Sequence, residues 1–230
     1  MKHNTALAAF LTFGALCSAE TRQFRTFVVP MPGETLAGPC IYQLTLPQAD
    51  RPVRGVFVIF DRGWQVGNLY FDPAVFRFAT KHHLGLLFPQ HCPAKGNEDI
   101  DVVPENGIGR ALMTALDQLG MASQHPELSK SGLIYFGFSG TGSLTARMVA
   151  YSPERTIAAV EFAPSQGDPV GMDTAPRSER ARAVPQLIIA NGVDNVSGTA
   201  RPYAYFAQYR MLGAPVTFLI QNRVPHCCVA

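Results

Sequence analysis

Ser139 stands in the run Gly137-Phe138-Ser139-Gly140-Thr141-Gly142, where three glycines leave room for a sharp turn around one hydroxyl. A serine hydroxyl at its own acidity is a poor nucleophile and needs a base that a carboxylate orients. Asp194 and His226, further along, offer a carboxylate and an imidazole. The chemistry such a set can do is nucleophilic attack on an acyl carbon. Other clusters of reactive types are Asp61-Arg62-Gly63-Trp64, His91-Cys92 and the acids Asp168 and Asp173, which compete with Asp194 for the acidic role. His82, His83, His91 and Cys92 are metal-ligand types, but two adjacent histidines cannot both face one ion without distortion, and no Cys-x-x-Cys pair occurs. No metal is expected; His82 and His83 read as positive complements to a helix C-terminus.

These residues fall at the ends of predicted strands. Two polar-apolar alternating stretches, Gln23 to Pro30 and Cys40 to Pro47, flank the turn Pro32-Gly33 and predict an antiparallel hairpin. Short continuous apolar runs follow at Val56 to Phe60, Leu86 to Phe88, Leu133 to Phe136, Ile157 to Phe162, Leu187 to Ala190 and Val216 to Ile220. Such runs suit strands buried on both faces of a mostly parallel sheet. Helices are predicted between them. Asp72-Pro73 opens one, and Ile108, Leu112, Ala115, Leu116 and Leu119 keep helical period up to Gly120, read as a stop. Leu144, Met148 and Tyr151 mark another, and a last one runs from Pro202 to Gly213. This alternation predicts a three-layer α/β sandwich with an antiparallel start. In such sheets ligands collect at the carboxyl ends of the strands, where Ser139, Asp194 and His226 lie.

A buried strand running straight into Gly-x-Ser-x-Thr-Gly and then a helix resembles the nucleophile elbow of the α/β-hydrolase superfamily, in its secreted serine-esterase-like form. The order Ser, acid, His and the three strand ends agree with that family. Thr141 departs from it, since the family usually has glycine there. The resemblance implies Ser139 as nucleophile, Asp194 as orienting acid and His226 as base. It implies an oxyanion hole from the N–H of Gly140 and one from Arg62 or Gly63. Trp64 and Phe138 are expected to wall the substrate pocket. No cofactor is implied, and the substrate is a small-molecule or polymer ester. The resemblance spans the chain from the hairpin to His226. The family closes with a further helix, whereas this chain stops four residues later and reads either as a fragment truncated after its last strand or as a shortened version whose histidine is held by other means, such as a bridge from Cys227 or Cys228.

Composition agrees with a folded single domain: of 230 residues, 47% are hydrophobic and 16% charged, too apolar for long disorder. A formal charge of +2 makes nucleic acid an unexpected partner. Lys2, the apolar run Thr5 to Cys17 and the small residues before Glu20 predict a signal peptide over residues 1–19, too short to span a membrane, with a hydrolase domain over 20–230 that is secreted or periplasmic. Export leaves Cys40, Cys92, Cys227 and Cys228, for which three pairings are open. Asn195-Val196-Ser197 is a glycosylation sequon if the route is eukaryotic, and Arg177 to Arg182 reads as a solvated stretch of a short lid. Two other classes stay open: a binding module on the same scaffold that has lost catalysis, and a dinucleotide-binding oxidoreductase using the glycines with Glu161, although their spacing departs from the usual fingerprint. Acyl group and oligomeric state are not legible.

Overall fold

The computed structural model describes residues 21–60, 69–95, 97–165 and 178–226. The predicted signal, Arg62, Gly63, Trp64, Asp168, Asp173, Cys227 and Cys228 lie outside the described residues.

Eight strands form one sheet. They are β1 (Arg22–Val28), β2 (Cys40–Leu46), β3 (Gly55–Ile59), β4 (Leu84–His91), β7 (Gly132–Phe138), β8 (Thr156–Phe162), β9 (Gln186–Asn191) and β10 (Val216–Gln221). Their spatial order is β1-β2-β4-β3-β7-β8-β9-β10. β2 is antiparallel to both β1 and β4, and the remaining neighbours pair in parallel. The sheet is open, with β1 and β10 as its edges. A small antiparallel pair, β5 (Pro93–Ala94) and β6 (Asn97–Ile100), follows β4; its strands are too short to leave a pattern in the sequence.

Side chains alternate across each central strand, so a continuous apolar run fills both faces. Val56, Val58, Leu133 and Tyr135 are fully buried in one cluster, while Ile59 and Phe138 pack in the other. Helix α2 (Ile108–Ser123) and helix α3 (Gly140–Tyr151) cover the first face; Leu112, Leu116 and Leu119 are fully buried there, each contributing about 2 kcal/mol of transfer free energy. Helix α1 (Pro73–His82) covers the second through Ala79. Its start is set as the sequence predicts, Asp72 accepting from the Ala74 N–H at 2.6 Å with Pro73 in the first turn. A single turn, α4 (Glu179–Arg182), precedes β9, and helix α5 (Ala200–Met211) precedes β10.

Gly120 does not stop α2. The helix continues to Ser123 and is capped by Gln124 in the left-handed region, φ 63°. The glycine serves packing instead: a Cβ there would meet the His125 carbonyl oxygen at 3.0 Å, where the chain folds back over the helix.

Chain order doubles back at β3. From it the connection through α1 goes to β4 on one side, while β7 lies on the other, so the carboxyl ends of β3 and β7 flank a switch point where an open α/β sheet forms its crevice. Ser139 follows β7 directly.

Candidate active site

The turn from β7 into α3 is sharp. Ser139 has φ 57° and ψ −122°, a conformation that side chains rarely adopt and that persists only where the surroundings over-determine it. Backbone hydrogen bonds do so. The Ser139 N–H donates to the Phe162 carbonyl at 2.9 Å, and its carbonyl accepts from the N–H groups of Gly142 at 3.0 Å and Ser165 at 3.1 Å. Gly137 must be glycine, since a Cβ would lie 2.1 Å from the Thr141 carbonyl oxygen. Thr141, the departure from the usual motif, is fully buried and works as a brace: its hydroxyl donates to the Phe138 carbonyl at 2.8 Å and accepts from the Phe138 N–H at 3.0 Å.

Asp194 lies in the turn after β9. Its Oδ1 accepts from the N–H groups of Val196 and Ser197, both at 2.8 Å, and its Oδ2 faces His226 Nδ1 at 2.7 Å. The carboxyl is covered by protein, and burial by itself raises its pKa; the hydrogen bonds from His226, Val196 and Ser197 outweigh that and hold it below the usual carboxylate value. An ionised carboxylate only accepts, so the proton of His226 sits on Nδ1. The other ring nitrogen, Nε2, is 2.9 Å from Ser139 Oγ and is left to accept from its hydroxyl.

The histidine loop is knitted to β9. Asn191, fully buried, donates from Nδ2 to the Pro225 carbonyl at 2.7 Å, and the Val193 N–H donates to the Val224 carbonyl at 3.1 Å. The Phe138 ring packs on the other side of the imidazole, with centroids 5.0 Å apart, and against Phe162 at 5.4 Å. Gly140 opens α3, so its N–H is among those that have no carbonyl partner within the helix.

The structure therefore brings Ser139, Asp194, His226, Gly140 and Phe138 together. Glu161, the acid of the dinucleotide reading, is fully buried in β8. Cys92 is bonded to Cys40, and among the described residues no group of three or more His, Cys, Asp or Glu side chains is placed to hold a metal. The sequence gives no site role to Asn191 or Ser165, and Ser197 stands out there only as part of a glycosylation sequon. The turn that carries Ser197 was open to detection, because an aspartate side chain commonly accepts from backbone N–H groups just after it, but the role of the Ser197 hydroxyl was not. Ser165 and Asn191 carry no local signal.

No protein-family model matches the chain, and no curated protein matches it. Solved structures do. A thermostable esterase superposes with a TM-score of 0.61 at 17% identity over 87% of this chain and 54% of that one. FphF of Staphylococcus aureus, a fluorophosphonate-binding serine hydrolase solved with substrate bound, gives 0.57 at 11% identity over 90% of this chain and 92% of that one. Esterase PE8 gives 0.56 at 16% identity, covering 88% and 92%. The chain thus spans about half the length of the thermostable esterase and about nine tenths of the other two. Likeness at these identities speaks for architecture, and with the switch point, the antiparallel start and the elbow it makes this an α/β-hydrolase-type fold.

Proposed function

We propose that this protein is a serine hydrolase that cleaves a carboxylic ester or related acyl bond, in a small molecule or a polymer, through an acyl-enzyme on Ser139. The observation that carries the reading is the hydrogen-bonded line Asp194, His226, Ser139 at 2.7 and 2.9 Å, ending on a hydroxyl held in a strained turn. His226 Nε2 takes the hydroxyl proton as Ser139 Oγ bonds to the acyl carbon, and returns it to the leaving alcohol. Asp194 keeps the ring in this tautomer and steadies the imidazolium. Water then attacks the acyl-enzyme by the same exchange, releasing the acid and restoring Ser139.

Charge on the attacked carbonyl oxygen is met by the Gly140 N–H and by an amide of Arg62 or Gly63. Trp64 and Phe138 wall the pocket, and no cofactor enters any step. Export, with residues 1–19 as signal and 20–230 as the hydrolase domain, is supported by the Cys40–Cys92 bond, which suits an oxidising compartment.

The test is labelling of the folded protein with a fluorophosphonate, the probe class that FphF binds, followed by peptide mapping. Label on Ser139 that vanishes in Ser139→Ala is the expected result. A folded sample that takes up no label at Ser139 refutes the reading and returns the scaffold to a binding role.

A further inference from the structure

We infer that Ser165, held by Ser197, is a hydrogen-bond donor to the Ser139 oxygen and a second positioning contact on the nucleophile; the inference rests on Ser139 being that nucleophile. Ser165 Oγ lies 3.4 Å from Ser139 Oγ and 2.8 Å from Ser197 Oγ. Each hydroxyl has a single proton to give, so the direction of the line follows from its end. Asp194 accepts only, which puts a proton on His226 Nδ1 and leaves Nε2 to accept from Ser139. With its proton committed to His226, Ser139 Oγ can only accept from Ser165. In the inferred arrangement Ser165 gives its own proton to Ser139 and accepts from Ser197.

The backbone closes this line into a ring. The Ser165 N–H donates to the Ser139 carbonyl at 3.1 Å, and the Ser197 N–H donates to Asp194 Oδ1 at 2.8 Å. The turn that presents the acid to His226 thus also presents, through Ser197 and Ser165, a donor to the serine oxygen.

The consequence falls on the proton-transfer step. The proton of Ser139 moves to His226 Nε2 while an Oγ electron pair forms the bond to the acyl carbon, and Ser165 keeps its own proton throughout. Its O–H points at the oxygen through which negative charge passes. A separation of 3.4 Å is long at rest, and such contacts tighten as charge develops. When Ser139 Oγ leaves the acyl carbon in deacylation and takes its proton back, the same donor steadies it again.

The experiment is the second-order rate of covalent reaction of a fluorophosphonate with Ser139, together with kcat and KM on the best ester found. Ser165→Ala is expected to slow the covalent reaction and kcat roughly tenfold, the scale of one hydrogen bond, with KM unchanged. Ser165→Thr, which restores the hydroxyl, recovers most of the rate. Ser197→Ala slows the reaction a fewfold, and the double alanine variant is no slower than Ser165→Ala alone, because Ser197 acts only through Ser165. If Ser165→Ala does not fold, the Ser197→Ala rate still decides. A folded Ser165→Ala or Ser197→Ala protein that reacts at the unaltered rate overturns the inference while leaving the nucleophile in place. Failure of the unaltered protein to react at Ser139 overturns both, the nucleophile first.

Discussion

At Ser139 the backbone sits at φ 57° and ψ −122°, and alanine in its place would carry the same strain, which glycine would relieve. Ser139→Ala is therefore expected to lose turnover with a nearly unchanged thermal midpoint. Ser139→Gly, equally inactive, should melt later than the alanine variant by the equivalent of about 1 kcal/mol. Calorimetry of the two variants side by side checks this. Asp194 makes a second residue-scale prediction. Its folded pKa lies below the unfolded one, so its stabilising contribution is complete above the ordinary carboxylate range and disappears as pH falls through the lower folded value. The unaltered protein should exceed Asp194→Asn in urea midpoint at neutral pH, with the gap closing below about pH 4.

The elbow is the element on which the site depends, and its two ends are tied by a residue that departs from the usual pattern. Thr141 replaces the freedom of a glycine with a hydroxyl that satisfies both backbone groups of Phe138. Thr141→Val keeps the shape but leaves those buried groups unpaired, a loss of about 1 to 3 kcal/mol that chemical denaturation would read. Thr141→Ser should recover most of it. Gly137→Ala is the harsher change: the new methyl would overlap the Thr141 carbonyl at 2.1 Å, so the turn must open and labelling at Ser139 should be lost. The histidine loop relies in the same way on Asn191, whose amide fixes the Pro225 carbonyl next to His226.

Across the whole molecule, the Cys40–Cys92 bond joins the start of β2 to the residue just past β4, strands that are hydrogen-bonded neighbours. Closing a loop with a sequence separation of 52 removes about 4 kcal/mol of unfolded-state freedom in the chain-entropy account. Cys40→Ser or Cys92→Ser should lower the thermal midpoint by roughly 10 °C. Because β3 stands between β4 and β7, and neither cysteine belongs to the Asp194, His226, Ser139 line, the folded variants should label at Ser139 as fast as the unaltered protein. Among the described residues no helix is long and apolar enough to cross a membrane.

What the sequence determined by itself is what short-range physics decides. All eight strands of the sheet were visible as alternating or continuous apolar runs, because side-chain direction repeats every two residues and burial on one or both faces leaves that period in the chain. The Asp72 cap and the elbow glycines were visible because their geometry depends on neighbours a few residues away. Gly120 misled because the contact that requires glycine comes from the chain folding back, which helix period does not record. The tertiary structure decided everything that joins distant residues. His226 and Ser139 are 87 positions apart, and only the strand order sets their side chains 2.9 Å from each other. The same holds for the cysteine pairing and for Ser165 and Ser197, whose residue types are common and whose meaning is position alone. A hydroxyl carries no trace in sequence of which oxygen it will face; packing of the loops at the ends of β7, β8 and β9 assigns it.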